Sequence, residues 1–200
     1  WVQAIGGSGK LDGDANTART QSNTSGLLVG IDRDIGGWQL GLLLGNGRTD
    51  TKQAQGRSAK ARIDNTHVGL YAGHSWGAFG LRGGLGYSRH DIDSSRQVAF
   101  AGYGDALDAS YEARTKQAFI EAGYRFGGTQ GGLEPYLQLA RVEVDVDDVR
   151  EQGGAAALTG RVADTATTVA TAGVRFDKGL KAAFQQDAWL HVVGGVGYRR

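Results

Sequence analysis

The chain has 200 residues, of which 22% are charged and 34 are glycine, with one proline and no cysteine. Its length suits one domain or one closed barrel, and the lack of cysteine excludes a disulfide framework and thiol chemistry. A formal net charge of +1 argues against a nucleic-acid partner, because such proteins usually present a basic face. Apolar runs stay well short of the roughly 20 residues that a membrane helix needs.

The first part of the chain alternates between short periodic runs and polar stretches. Residues 1–9 predict a first strand with poorly separated faces, and the polar residues 10–24 predict a long loop or a flared strand end. Apolar residues then alternate with other residues in 27–31 and 38–44, with a tight turn between them. A period of two is typical of a strand with one apolar face.

The clearest pattern lies in residues 66–89, where two alternating runs flank a turn at residues 75–78. One phase is apolar, and the other is mostly glycine with an occasional arginine or histidine. This arrangement predicts a β-hairpin. Glycine at alternate positions indicates crowding on one face rather than a flexible linker.

The second half of the chain opens with its longest non-periodic part, residues 90–110, which predicts a loop. Four more strands are predicted at residues 118–126, 133–146, 168–176 and 188–198. The polar connection at residues 147–159 is long, whereas the glycine-rich one at residues 127–132 is short. Long and short connections therefore alternate, as they do in outer-membrane barrels with long external loops and tight periplasmic turns.

These patterns predict an all-β fold, a transmembrane antiparallel up-and-down β-barrel in one domain over residues 1–200. About nine strands are present, whereas bacterial single-chain barrels have even numbers. An open sheet edge cannot face lipid, so we expect either further strands beyond Arg200 or completion by another chain, and we favour the first.

The two phases of the alternation predict two surfaces. The lipid-facing and aromatic-girdle residues are predicted to be Trp38, Leu40, Leu42, Leu44, Trp76, Phe79, Leu81, Leu85, Tyr87, Tyr124, Phe126 and Phe176. The charged lumen-lining residues are predicted to be Arg82, Glu121, Arg125, Arg175, His191 and Arg199. Opposite charges on the second surface are expected to pair between neighbouring strands and to leave a hydrophilic conduit.

Motifs for catalysis or metal binding are weak. Residues 6–10 lack the first glycine and the closing Ser/Thr of a phosphate loop, and residues 12–23 lack the glycine and the closing glutamate of a calcium loop. His90 and Asp91 are the best acid–base candidates, although a solvated rim explains them better. The cluster of Asp145, Asp147, Asp148 and Glu151 is a candidate for loose cation binding, although a solvated loop explains it better. No cofactor and no metal are expected.

Several stretches together resemble the translocator β-domain of autotransporters, the type V secretion proteins of Gram-negative bacteria. The matching stretches are WVQAIGGSGKLDGD, GLYAGHSWGAFGLRGGLGYS, YEARTKQAFIEAGYRF, GGLEPYLQLARVEV, GGAAALTG and TTVATAGVRF. The resemblance implies a twelve-stranded outer-membrane barrel with a helix in its pore. Both that helix and the final strands would lie outside residues 1–200.

The resemblance also implies a role and partners. The barrel would anchor a passenger domain fused ahead of it and support its export to the cell surface, without being an enzyme itself. Its partners would be that passenger, the pore helix, the outer-membrane assembly machinery, membrane lipid and lipopolysaccharide. Two alternatives are an outer-membrane enzyme that uses His90 and Asp91 at the rim, and a passive pore or adhesin.

Overall fold

The computed structural model describes residues 1–12, 19–54, 59–128, 131–181 and 189–199, with the side chains of 54 and 179–199 outside that description. All regular elements in these ranges are β-strands. They are β1 (Val2–Leu11), β2 (Arg19–Ile35), β3 (Trp38–Ala54), β4 (Ala59–Trp76), β5 (Phe79–Phe100), β6 (Tyr103–Tyr124), β7 (Phe126–Gly128), β8 (Gly131–Val146), β9 (Val149–Arg150), β10 (Thr159–Gly160), β11 (Thr165–Lys181) and β12 (Trp189–Arg199).

One antiparallel sheet contains all the long strands, in the order β1-β2-β3-β4-β5-β6-β8-β11-β12. The short β7 pairs with β8, and β9 pairs only with β10. Each long strand therefore lies beside the next one in the chain, which confirms the predicted up-and-down arrangement of nine strands in a curled half-barrel sheet. In the part of the chain that the structure describes, no helix is long and apolar enough to cross a membrane.

The strand register places the apolar phase of every long strand on one surface, which we call the outer face. Leu42 is paired with Leu70, and Leu70 with Leu85, and directly paired residues share a face. These side chains remain exposed, as illustrated by Leu85 at 62%. The opposite surface is the inner face. Its side chains reach one another across an intervening strand, so it is the concave side of the curled sheet.

Glycine on the inner face makes room for large side chains on the neighbouring strand. A Cβ atom added to Gly41 would lie 2.1 Å from the ring of its partner Tyr71, and one added to Gly84 would lie 2.6 Å from the ring of Phe119. The hydroxyl of Tyr71 in turn accepts a 2.8 Å hydrogen bond from the indole of Trp1. The abundant glycine is therefore a packing device on a crowded concave surface, as its alternation indicated.

The strands extend well beyond the apolar residues at one end of the sheet. β5 and β6 have 22 residues each, roughly 70 Å at about 3.3 Å per residue. An outer-membrane barrel needs an apolar band only about 25 Å tall. The prediction of a loop over residues 90–110 is thus wrong: these residues continue the hairpin and reverse at Ala101 and Gly102, where Gly102 adopts a φ of 82°.

The polar connection after β8 also has a defined structure, which we call the folded-back segment (residues 147–160). It follows the edge of β6 through two reciprocal backbone hydrogen bonds between Asp108 and Gln152, of 2.9 and 2.8 Å. The Arg96 guanidinium donates to both carboxylate oxygens of Glu151 at 2.6 Å and to the carbonyl of Ala156 at 3.0 Å. On β6, Leu107 is only 1% exposed, so this end of the sheet has a small core.

Candidate functional site

Four charged side chains from four successive strands meet on the inner face. Arg82 lies on β5, Glu121 on β6, Glu134 on β8 and Arg175 on β11, and we call them the inner charge network. Arg82 Nη1 contacts Glu121 Oε1 at 2.8 Å and Glu134 Oε1 at 2.9 Å. Arg175 contacts the same two glutamates through its Nη2 and Nη1 atoms. Each arginine therefore bridges both carboxylates.

The network holds a nearly buried carboxylate in a charge-balanced setting. The Glu121 side chain is 4% exposed and that of Glu134 is 13% exposed, whereas Arg82 and Arg175 are 45% and 32% exposed. Burying one carboxylate alone would be costly, and two arginines compensate that cost. Because two cations face two anions, the network is neutral by itself.

Uncharged groups complete the inner charge network. Gln138 donates to Glu121 Oε2 at 3.3 Å, and the Arg175 guanidinium lies 3.9 Å from the centroid of the Tyr136 ring. Gly173 lies beneath that ring, since a Cβ there would come within 2.7 Å of it. Stacking on the Tyr136 ring and contacts to two carboxylates together restrain the plane of the Arg175 guanidinium. The inner charge network is therefore held in place from several sides.

A second ion pair closes the end of the sheet where the turns are short. Arg125, between β6 and β7, donates to both carboxylate oxygens of Asp177 on β11, at 2.7 and 3.0 Å. Its backbone amide donates to the Ala78 carbonyl at 2.8 Å. Since β6 and β11 are separated by β8, this pair also crosses an intervening strand.

Four of the six predicted lumen-lining residues thus lie on the inner face in ion pairs: Arg82, Glu121, Arg125 and Arg175. The backbones of His191 and Arg199 lie in β12, opposite Gly179 and Thr171, and their side chains fall outside the described ones. The sequence reasoning missed Glu134, Gln138 and Asp177. The phase of β8 contained the signal for the first two, because they alternate with the apolar Leu133, Pro135 and Leu137.

The predicted lipid-facing residues share the outer face with the rest of the apolar band. An aromatic cluster lies beside the short turns, where the ring centroids of Trp38 and Trp76 are 5.9 Å apart and those of Trp76 and Phe79 are 6.0 Å apart. His74 lies between the two tryptophans, and its Nδ1 donates a 2.6 Å hydrogen bond to the Gly37 carbonyl. This histidine therefore belongs to the aromatic cluster.

The structure does not bring His90 and Asp91 together. As neighbours in β5 they lie on opposite faces. His90 is hydrogen-bonded on the inner face to Asn65 at 2.6 Å and to Thr115 at 2.9 Å, whereas Asp91 pairs with Arg89 at 3.1 Å. These two side chains therefore do not form an acid–base pair. The two side chains are separated because successive residues of a strand point to opposite faces. The prediction of a loop over residues 90–110 did not include that constraint.

The carboxylates suggested as a loose cluster are each held by a different basic residue. Asp145 pairs with Lys116, Asp147 with Arg114, Asp148 with Arg161 and Glu151 with Arg96. Among the described residues, no group of three or more histidine, cysteine, aspartate or glutamate side chains could hold a metal ion. These acids therefore stabilise the long strands and the folded-back segment.

Comparison with known proteins agrees with this architecture. Residues 1–200 match the family of the autotransporter β-domain. The chain belongs to this family. Two extracellular serine proteases of Serratia marcescens are 38% and 36% identical over 178 residues, which are 88% of the chain but 17% of each relative. The chain thus spans less than a fifth of those proteins, and their protease name describes the whole proteins.

Two solved translocators share the fold of this autotransporter β-domain. The translocator domain of autotransporter NalP from Neisseria meningitidis has a TM-score of 0.77 at 23% identity, over 98% of this chain and 64% of that one. The β-domain of the Bordetella autotransporter BrkA has a TM-score of 0.69 at 21% identity, over 100% and 77%. The resemblance noted in the sequence is confirmed. Proteins of this family are outer-membrane β-barrels, and the β-domain is their translocator barrel.

Proposed function

We propose that this autotransporter β-domain spans the outer membrane and supports export of a passenger domain fused ahead of it to the cell surface. The observation that carries the proposal is the division of one sheet into an exposed apolar outer face and a polar, charge-balanced inner face. The first suits lipid, and the second suits a conduit that a polar chain can pass without binding tightly. The long hairpins would lie outside the cell and the short turns in the periplasm.

Further partners belong to the same proposal. The passenger domain and a pore helix would precede Trp1, and the outer-membrane assembly machinery would insert the sheet. The neutral inner charge network suits a lumen that receives these segments, because no buried carboxylate is left uncompensated before they arrive. We assign no enzymatic role to the domain, and the double variant His90→Ala/Asp91→Ala should leave passenger display unchanged.

A pair of substitutions on the neighbouring strands β4 and β5 tests export along the inner face. Gly73 and Gly80 lie on the inner face, and an added Cβ meets nothing closer than 3.7 Å at either position. Changing both to tryptophan should narrow the path and lower the amount of passenger on intact cells severalfold, measured by antibody binding and external protease. The matched control is Ala72→Trp/Leu81→Trp, which places the same rings on the outer face of the same two strands.

Assembly of each variant should be checked by the shift in gel mobility on heating that folded barrels display. Reduced display with a fully assembled inner-face variant, and unchanged display in the outer-face control, supports the proposal. If the assembled inner-face variant displays passenger as well as the parent does, export does not run along this surface and the proposal fails.

A further inference from the structure

The outer face carries a regular arrangement of cations just beyond its apolar band. On β3, β5, β6 and β8, the first charged residue beyond the last apolar one is basic. These residues are Arg48, Arg89, Lys116 and Arg141, and we call them the basic belt. β4 and β11 depart from the pattern, since the first charged residue in phase is Asp64 on β4 and Asp164 just beyond the upper end of β11. The side chains of the basic belt are 50–59% exposed.

The strand register gives the height of the basic belt along β5. Arg48 is level with Asp91, Lys116 with Tyr87 and Arg141 with Leu85. The belt therefore descends by six residues over the four steps from β3 to β8. With about 3.3 Å per residue and about 4.8 Å between strands, this slope is roughly 45° to the direction of strand pairing.

That slope matches the tilt of strands in membrane barrels, which is about 35–45° from the membrane normal. A line of side chains with this slope lies at one depth in the membrane. The upper limit of the apolar band descends in the same direction, from Leu44 on β3 through Ala118 on β6 to Leu139 on β8. The basic belt thus follows the edge of the band around the curled sheet.

Carboxylates support the basic belt mostly from the side away from the apolar band. Asp91 is 3.1 Å from Arg89, and Glu143 is 2.9 Å from Arg141, each two residues further along the strand. Asp145 on β8 pairs with Lys116 at 3.0 Å. It lies level with Arg89, which is two residues higher than Lys116 in the register. Glu112 also pairs with Arg89, and Asp64 pairs with Arg48 at its own level. Since an arginine has five N–H donors, these pairs leave donors for a second anion.

We propose that the basic belt binds the phosphate groups of lipopolysaccharide, the phosphorylated glycolipid of the outer leaflet. The inference rests on the proposed function, because the belt meets that leaflet only if the sheet spans the outer membrane with its long hairpins outside. Charge-assisted hydrogen bonds from arginine to phosphate are strong and often bidentate. The belt supplies them at the height where the acyl chains end and the phosphates begin, directly continuous with the surface that contacts those chains.

Native mass spectrometry of the intact protein in detergent, titrated with lipid A, tests this proposal. The parent should retain lipid A, and the variant Arg48→Gln/Arg89→Gln/Lys116→Gln/Arg141→Gln should bind it at least tenfold more weakly. The matched control removes four other exposed cations, Lys52, Lys60, Arg62 and Arg161, by the same change to glutamine. It should bind lipid A like the parent, although its net charge equals that of the belt variant.

The other ligands and variants make each outcome decisive. Lipid A without its phosphates should bind the parent protein as weakly as phosphorylated lipid A binds the belt variant. Phosphatidylglycerol should compete only weakly with lipid A for the parent protein. If the fourfold variant does not fold, the pair Lys116→Gln/Arg141→Gln is measured instead, with Lys60→Gln/Arg62→Gln as its control. If lipid A binding is weakened equally in the belt and control variants, net charge alone causes the weakening and the belt is not a specific site. If all variants bind lipid A equally, the proposed site is rejected. Either result leaves the export test untouched, since no passenger is measured.

Discussion

The lower half of the β5–β6 hairpin, beside the short turns, and the upper half, beside the reversal at residues 101 and 102, have the same backbone pairing but surfaces of different polarity. In the lower half, around Leu85 and Ala118, the outer face is apolar and the inner face packs large side chains on glycine. In the upper half, the outer face is polar, and pairs such as Arg89 with Glu112 and Ser110 with Asp93 connect the strands there. Where lipid surrounds the strands, the backbone hydrogen bonds between them are obligatory, because no water can replace them. In water, side-chain pairs across the strands must stabilise the same backbone pairing.

The largest expected effect comes from a charge in the lower half. Leu85 is 62% exposed on the outer face, and Leu85→Arg should destabilise the membrane-inserted sheet by about 2–4 kcal/mol. The physical reason is the cost of placing a guanidinium in hydrocarbon. Urea unfolding in lipid vesicles measures the change in the free energy of unfolding.

The matched control for this prediction is Gln97→Arg, on the same strand and face in the upper half. It should change the free energy of unfolding by less than about 0.5 kcal/mol, as expected of surface sites. Equal costs at the two positions would mean that the two halves share one solvent, and the assignment of the apolar band would be wrong.

An intermediate effect is expected from filling a glycine site in the lower half. An added Cβ at Gly41 would lie 2.1 Å from the Tyr71 ring, so Gly41→Ala should cost about 1–3 kcal/mol through overpacking. The control is Gly104→Ala in the upper half, where the nearest atom is 3.9 Å away. The same unfolding measurement applies.

A double-mutant cycle sharpens this prediction. If contact with Tyr71 causes the loss, Gly41→Ala should cost much less in a Tyr71→Ala background than in the parent. Additive effects of the two changes would show that the ring moves aside and that the glycine is not needed for packing.

The smallest expected effect is a pH dependence in the stability of the folded-back segment, which packs against the upper half. Hydrogen bonds from Arg96 and from the Leu158 amide hold the pKa of the Glu151 carboxyl below its ordinary value. Glu151 therefore stabilises the folded-back segment above the ordinary glutamate pKa of about 4.3, and the stabilisation is lost as the pH falls through the lowered folded-state pKa. Asp105, whose pKa is lowered by Tyr103 and the Ala156 amide, acts in the same direction.

Amide hydrogen exchange measures this loss. The protection factor of the Leu158 amide, which donates to Glu151 at 2.9 Å, should stay constant from pH 7 to about pH 5 and then fall. Glu151→Gln should lower the protection of the Leu158 amide at pH 7 and flatten the pH dependence of that protection. Each change should correspond to less than about 1 kcal/mol in the free energy of local opening. Protection that persists unchanged at pH 3 would show that the carboxylate does not hold the segment.

The lower half was predictable because a single physical rule governs it. Alternation of period two located the long strands after the first, whose faces are poorly separated, and the same rule placed Arg82, Glu121 and Arg175 on one phase. It failed for Asp177, which lies just past the predicted strand at residues 168–176 and was assigned to a connection. It failed again for residues 90–110, because the outer face of the strands is polar there and lacks the apolar period that marks the lower half.

By itself, the sequence determined the strand order, the hairpin turns and which phase of each strand is apolar, since neighbours in the chain are neighbours in the sheet. Only the tertiary structure decided which inner-face charges meet. Arg82 reaches Glu134 and Glu121 reaches Arg175 across an intervening strand, and that distance closes only because the sheet curls. The strand register likewise lines up cations from four strands along the upper edge of the apolar band, which no single strand encodes.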